Sequence, residues 1–123
     1  MFELLDVNKF SVKVTDVIDG DTFVGDINIF PFGITLTNQH FRVFGVDTPE
    51  RNEEGYHEAT EFTAHHVDGK ELTVKIIEKD AFGRWLTTVM LDENVTLNAL
   101  LLHEGLAVPW SKGHGKAKKK VEV

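Results

Sequence analysis

The sequence predicts an α+β protein that is mainly β. Apolar and polar residues alternate in five short segments that are separated by turn-forming residues, as in antiparallel strands. Apolar residues recur at helical spacing in two places, once between the third and fourth segments and once after the fifth. This order predicts a five-stranded OB-type Greek-key barrel with a helix between strands 3 and 4 and a second helix after strand 5. A split α+β sheet is the main alternative.

The first three strands are predicted as a hairpin and a following strand. Residues 8–18 alternate and then change parity, which indicates a strand with a bulge or bend. Residues 19–22, Asp-Gly-Asp-Thr, have the composition of a turn, and residues 23–30 form the second strand of the hairpin. Residues 31–39 are predicted to be a polar connection, and residues 41–46 the third strand.

The second half of the chain contains both predicted helices. Helical spacing predicts the first helix at about residues 56–67. Two further alternating segments, residues 72–76 and 84–91, are the fourth and fifth strands. Thr96 is a suitable N-cap for the second helix, and Gly105 lies where a glycine is expected just past its end.

The composition is that of one globular domain without disulfides. The chain has 123 residues, of which 41% are hydrophobic and 27% charged, and no apolar run approaches the ~20 residues that span a bilayer. With no cysteine, thiolate zinc sites and thiol nucleophiles are excluded. No signal peptide is visible, so we expect a cytoplasmic protein or the mature form of an exported one. We also expect a monomer that is not a membrane protein.

Charge is unevenly distributed along the chain. The net charge is −7, and residues 111–123 contain five Lys and one Glu, which leaves −11 on residues 1–110. We expect a barrel domain over residues 1–110 and a flexible basic tail over residues 111–123. An acidic domain repels nucleic acid unless a bound cation neutralises some of its carboxylates or they lie away from the site.

Four carboxylates lie in two predicted turns next to strands. Each of Asp19, Asp21, Asp47 and Glu50, taken alone, is explained well enough as a turn residue. If the first hairpin lies beside the third strand, however, both turns lie at one end of the barrel. Oxygen ligands without His or Cys favour Ca²⁺ or Mg²⁺. The set therefore indicates a candidate cation site.

Two arginines complete a candidate phosphate site. Arg42 lies in an apolar strand and needs an anionic partner, which Asp47 or another carboxylate would provide. Arg84, at the start of a strand, is equally well explained as a surface charge. Two guanidinium groups beside a cation and a spare carboxylate would suit phosphoryl transfer, because they hold the non-bridging oxygens as negative charge develops.

These residues resemble the staphylococcal-nuclease-like (thermonuclease) family. The resemblance covers roughly residues 10–108, and the Arg followed by Asp-Thr-Pro-Glu is its specific part. Its matching segments are Asp-Gly-Asp-Thr at 19–22, Phe-Arg at 41–42, Val-Asp-Thr-Pro-Glu at 46–50, Phe-Gly-Arg at 82–84, Asn98 and Glu-Gly-Leu-Ala at 104–107.

The resemblance implies a Ca²⁺-dependent nuclease on an OB-type barrel. Its substrate would be DNA or RNA, preferably single-stranded, cleaved by in-line attack of a water molecule at the metal site. The bond to the 5′-oxygen would break and leave 3′-phosphates. The alternative is a non-catalytic OB module that binds nucleic acid or protein, although such a module would not need to retain the arginines and carboxylates.

The resemblance also implies a metal set. Asp21 and Asp47 would ligate Ca²⁺ through their carboxylates, and Thr48 would contribute its carbonyl oxygen. Asp19 would lie near the cation and contact it through water.

The remaining implied roles concern the phosphate and the substrate. Arg42 and Arg84 would bind the scissile phosphate and stabilise the transition state, and Glu50 would orient or deprotonate the attacking water. Secreted members carry Lys and Tyr where this chain has Ala81 and Phe82. Phe82 keeps a ring that can stack on a base but lacks the charge and the hydroxyl, so we expect weaker substrate binding.

Overall fold

The computed structural model describes residues 8–29 and 31–110. Eight strands and two helices occur in these ranges, three of the strands being only two residues long. In chain order they are β1 (Lys9–Asp19), β2 (Thr22–Ile29), β3 (Ile34–Val43), β4 (Val46–Asp47), α1 (Tyr56–Val67), β5 (Glu71–Lys79), β6 (Trp85–Asp92), β7 (Val95–Thr96), α2 (Leu97–His103) and β8 (Val108–Pro109).

The five long strands form a closed, mixed barrel. Antiparallel pairing joins them in the order β3-β2-β1-β5-β6. Parallel pairing of β3 with β6, in which Phe41 lies opposite Trp85 and Arg42 opposite Leu86, closes the barrel. This topology, with α1 between the third and fourth long strands and α2 after the fifth, confirms the predicted OB-type fold and excludes the split sheet.

Apolar side chains from every long strand fill the barrel. Phe23 and Phe41, on neighbouring strands, stack with ring centroids 5.1 Å apart at the centre of this core. The helices cover it with buried apolar residues, Ala59 and Val67 from α1 and Leu97 from α2. The core therefore holds the strand ends in fixed positions, and the candidate site is built on those ends.

Several local predictions are confirmed. α1 begins and ends at the residues predicted from helical spacing. β1 has a register shift between Val14 and Asp16, where its parity changes. The Thr96 side chain accepts a hydrogen bond from the Ala99 backbone N–H at 3.1 Å and caps α2. Gly105, just past the end of that helix, has a φ of 74°.

The predicted connection at residues 31–39 is wrong. β3 begins at Ile34, which lies opposite Ile29, and the strand ends at Val43, so it starts earlier and ends earlier than predicted. Residues 31–38 are all exposed. Ile34 and Leu36 do alternate with threonines, but over four residues only and beside Pro31 and Gly33, so this exposed hairpin resembles a polar loop in composition.

Residues 111–123, where we predict a basic tail, lie outside the described residues. Among the helices that the structure describes, none has the length and apolar character needed to cross a membrane.

Candidate functional site

A cleft of about 350 Å³ opens at one end of the barrel. Strand register explains why distant residues meet there: Thr22, at the start of β2, lies opposite Arg42, and Arg42 lies next to the start of β6. The residues that line the cleft are Asp19, Asp21, Thr22, Arg42, Asp47, Thr48, Pro49, Glu50, Arg84 and Trp110. Of the site residues that the sequence analysis names, Phe82 alone is outside this lining.

Arg42 is buried and joins both acidic turns. Its Nη1 lies 3.2 Å from Asp21 Oδ2, and its Nη2 lies 3.3 Å from Asp47 Oδ1. Nη1 also donates to the carbonyl oxygens of Val46, at 2.9 Å, and Val43, at 3.3 Å. Only 7% of the residue is exposed, so its charge depends on these partners for the solvation that water would otherwise provide.

Asp21 is fixed by contacts on both carboxylate oxygens. Oδ1 accepts from the Thr22 hydroxyl at 3.0 Å, and Oδ2 accepts from the backbone N–H of Thr48 at 3.1 Å. The preceding Gly20 allows the turn to approach its neighbours, because a Cβ there would lie 2.9 Å from Ala59 Cβ and 3.0 Å from Thr48 Cγ2. The Asp-Gly-Asp turn thus packs closely against both α1 and residues 46–50, which we call the Asp47 corner.

Helix α1 positions the same turn through two hydroxyl groups. The Tyr56 hydroxyl donates to Asp19 Oδ1 at 2.8 Å and lies 3.2 Å from the Ile18 carbonyl oxygen. The Thr63 hydroxyl donates to the Gly20 carbonyl oxygen at 2.6 Å. The sequence analysis missed Tyr56, because a buried aromatic residue at the start of a helix looks like an ordinary core residue.

Glu50 lies at the mouth of the cleft and is exposed. Its backbone N–H donates to Glu53 Oε1 at 2.7 Å, and its carbonyl oxygen accepts from the Glu53 N–H at 2.8 Å. These two bonds, together with Pro49, hold the backbone of the corner. The Glu50 carboxylate can therefore reach solvent in the cleft from a fixed backbone position.

Arg84 lies on the turn between β5 and β6, where Asp80 holds it. Asp80 Oδ1 accepts from the backbone N–H groups of Phe82 and Arg84, each at 2.9 Å, and Oδ2 accepts from Arg84 Nε at 2.8 Å. Burial by itself would raise the pKa of Asp80, but the backbone hydrogen bonds and the Arg84 guanidinium lower this pKa below its ordinary value. Phe82 is 83% exposed, and its ring centroid lies 5.4 Å from Arg84 Cζ.

Trp110 is half-buried and lines the cleft. Its ring centroid lies 5.1 Å from Arg42 Cζ, and its backbone N–H donates to the Gly45 carbonyl oxygen at 2.9 Å. The ring therefore shields one side of the Arg42 guanidinium from solvent and adds a cation–π contact.

Asn98, on α2, ties the end of β3 to β6. Its side-chain amide donates to the carbonyl oxygens of Phe44, at 2.7 Å, and Thr87, at 3.1 Å, and its side-chain oxygen accepts from the Val89 N–H at 3.0 Å. All three contacts are to backbone groups. Asn98 therefore supports the Asp47 corner from behind and does not line the cleft.

The carboxylates at the cleft fit a partly hydrated Ca²⁺ site in ligand type. Asp21 and Asp47 carry carboxylates, which Ca²⁺ prefers, and Thr48 lines the cleft beside them. Thr48 Oγ1 is buried without a hydrogen-bond partner among the described residues, so an unsatisfied oxygen also lies at this corner. In the part of the chain that the structure describes, no three His, Asp or Glu side chains are grouped to hold a metal ion. A cation there would depend on water and backbone oxygens as well.

The sequence is similar to those of two known proteins. The chain is 34% identical over 112 residues to the thermonuclease of Staphylococcus hyicus, covering 85% of the chain and 62% of that protein. It is 26% identical over 95 residues to an uncharacterized endonuclease of Escherichia coli O157:H7, covering 77% of the chain and 58% of that protein. The chain thus spans less than two thirds of the length of either relative.

The family model described as "Staphylococcal nuclease homologue" matches residues 40–122, which is more than half of the chain. This match includes the Asp47 corner, α1, β6 and α2, and it agrees with the predicted resemblance and with the barrel topology. The protein therefore belongs to the staphylococcal nuclease homologue family.

Proposed function

We propose that this protein is a Ca²⁺-dependent phosphodiesterase that hydrolyses DNA or RNA. The observation that carries the proposal is the buried Arg42 between Asp21 and Asp47, in one cleft with Arg84 and the exposed Glu50. Phosphodiester hydrolysis needs positive charge on the non-bridging oxygens and a group that directs water, and the cleft has both. Family membership and the names of the two relatives support the same reaction class.

Asp21, Asp47 and the Thr48 carbonyl oxygen are the proposed ligands of the cation. When bound there, Ca²⁺ would supply positive charge next to a phosphate oxygen. The cation would also offset part of the −11 charge on residues 1–110, which otherwise repels a polyanion. Asp19, held by the Tyr56 hydroxyl, would contact the hydration shell.

The other residues of the cleft have roles that follow from their positions. Arg42 and Arg84 would hold the non-bridging oxygens of the scissile phosphate as negative charge develops on them. Glu50 would orient the attacking water in line with the leaving 5′-oxygen and accept its proton. Cleavage of the bond to the 5′-oxygen would give one product with a 3′-phosphate and another with a 5′-hydroxyl.

Phe82 supports a preference for single strands. Its exposed ring lies beside Arg84 at the edge of the cleft, where an unpaired base next to the scissile phosphate could stack on it. Stacking of this kind contributes about 1–3 kcal/mol per base and tolerates every base. In a duplex the bases already stack on one another, so we propose single-stranded DNA or RNA as the preferred substrate.

The test is digestion of single-stranded DNA and RNA in millimolar Ca²⁺ and in EDTA, with the product ends identified. We expect cleavage only with Ca²⁺, and 3′-phosphate ends. Glu50→Gln removes the proposed proton acceptor and should lower the rate by about 10² or more. Glu78→Gln, on β5 outside the cleft, makes the same chemical change and serves as the matched control. Absence of EDTA-sensitive cleavage of both substrates would overturn the proposal.

A further inference from the structure

The side chain of Arg84 is held at one nitrogen only. In residues 8–29 and 31–110, its polar side-chain contact is the one between Nε and Asp80 Oδ2, at 2.8 Å. Arg42 differs, since both of its terminal nitrogens contact protein oxygens. Among the described residues, the Nη1 and Nη2 atoms of Arg84 thus contact no protein oxygen and are available to a ligand.

Asp80 is itself fixed, and this is what allows it to orient another side chain. Its Oδ1 accepts two backbone N–H groups of the turn, so its carboxylate plane is set by the backbone. The backbone N–H of Asp80 also donates to the Arg84 carbonyl oxygen at 2.8 Å, which closes the turn. Gly83, with a φ of 83°, supplies the left-handed residue that this turn requires.

We propose that Asp80 is a positioning residue, which holds Arg84 by Nε so that Nη1 and Nη2 form a fork for two oxygens of the scissile phosphate. The inference rests on the proposed function, because it concerns the same reaction. An arginine binds phosphate best through two parallel N–H bonds, which require the guanidinium plane to be fixed. A misplacement of about 1 Å can lower the rate of an enzyme by up to ~10²-fold. The Arg84 guanidinium also lies over the Phe82 ring, which limits its movement on that side.

Asp80→Asn distinguishes the role of Asp80 in the turn from its role in holding Arg84. Asparagine keeps an oxygen at the Oδ1 position for the two backbone N–H groups, but its amide nitrogen cannot accept the Arg84 Nε–H. The matched control is Asp92→Asn, at the other end of β6, where Asp92 Oδ1 accepts the Glu93 N–H at 2.8 Å. Both variants lose one negative charge in a turn, but only the first lies beside Arg84.

The experiment is a double-mutant cycle on kcat/KM with single-stranded DNA. We expect Asp80→Asn to lower kcat/KM about tenfold in the wild-type background. In the Arg84→Ala background we expect a change of less than about twofold, because no guanidinium remains to be oriented. Asp92→Asn should change neither value. An equal loss in both backgrounds, or no loss in the wild type, would overturn the proposal.

A second measurement tests the contact between Asp80 and Arg84 Nε without depending on activity. The chain has three arginines, and NMR of their Nε–H groups distinguishes a hydrogen-bonded Nε–H from one that exchanges freely with water. We expect slow exchange for Arg84 in the wild type and fast exchange in Asp80→Asn, with the exposed Arg51 as the fast reference. Fast exchange of Arg84 in the wild type would overturn the positioning role. If wild-type protein does not cleave nucleic acid, the proposed function fails, and the NMR result still shows whether Asp80 holds Arg84.

Discussion

Arg42 and Arg84 line the same cleft, but the protein holds them in different ways. The Arg42 side chain is 8% exposed and contacts carboxylates from the β1–β2 turn and the β4 corner. The Arg84 side chain is 30% exposed and contacts a carboxylate four residues away on its own turn. Arg42 is therefore held by local contacts together with the tertiary contacts to Asp21 and Trp110, and Arg84 by local structure alone.

This difference determines what each arginine contributes to stability. Removing one partner of a buried ion pair leaves an uncompensated charge, and the cost is smaller where a single remaining carboxylate keeps its backbone hydrogen bonds. Without Arg42, the carboxylates of Asp21 and Asp47 would remain in the cleft without the guanidinium group that lies between them. Without Arg84, Asp80 would keep its two backbone hydrogen bonds.

The largest expected effect is that of Arg42→Ala. We expect a loss of about 3–5 kcal/mol in the free energy of unfolding, measured by urea denaturation, because the buried carboxylate of Asp21 and the half-buried one of Asp47 lose their partner. Cleavage should fall by at least ~10² for the variant that remains folded. Arg84→Ala is the matched comparison and should lose less than about 1 kcal/mol. Equal stability losses in the two variants would contradict the distinction between a tertiary and a local site.

Binding of Ca²⁺ provides the next test, because the proposed ligands belong to the Arg42 side of the cleft. At a Ca²⁺ concentration of 100 times Kd, we expect about 2.7 kcal/mol of added stability in the wild type, measured as a rise in Tm. Asp21→Asn should lose most of this rise, and Arg84→Ala should retain it. A Ca²⁺-induced rise that survives Asp21→Asn would place the cation elsewhere.

The smallest expected effect concerns Asp80 and pH. The folded pKa of Asp80 lies below its ordinary value of 3.8, so ionised Asp80 stabilises the folded state above that pH. This stabilisation is lost as pH falls from about 3.8 through the lower folded pKa. We expect wild type to be more stable than Asp80→Asn by less than about 1 kcal/mol at pH 5–8, with the difference shrinking below pH 4.

The measurement is urea denaturation of both proteins across this pH range. Asp92→Asn, measured in parallel, accounts for the change in net charge. A difference between wild type and Asp80→Asn that grows as the solution becomes more acidic would contradict the direction of the pKa shift.

The parts of the fold that the sequence predicted well have local causes. α1 and the Thr96 cap follow from helical spacing and from the preference of a hydroxyl for the first turn of a helix. The first half of β3 was missed for a different reason. Residues 34–37 do alternate, but only over four residues next to Pro31 and Gly33, and residues 31–38 are all exposed, so the segment resembles a loop in composition.

The candidate site divides in a similar way. The Asp80 turn has a local signal. An Asp that precedes a Gly-Arg pair by three and four residues can accept hydrogen bonds from the backbone N–H groups of the turn and from the Arg side chain. The sequence analysis makes no prediction from this spacing. The contact between Tyr56 and Asp19 spans 37 positions, and Trp110, the last described residue, contacts Arg42 in β3. Neither contact leaves a periodic pattern in the sequence.

The sequence by itself determined the order of the elements, the family and the identity of the polar residues at the Asp47 corner, because turn chemistry and apolar spacing are properties of neighbouring residues. Only the tertiary structure decided that Arg42 is enclosed by Asp21, Asp47 and Trp110, while the terminal nitrogens of Arg84 remain open in the cleft. The physical reason is that the pairing of β3 with β2 and β6, and of β4 with β8, brings these groups together, and the energy of a buried charge depends on the groups that surround it in space.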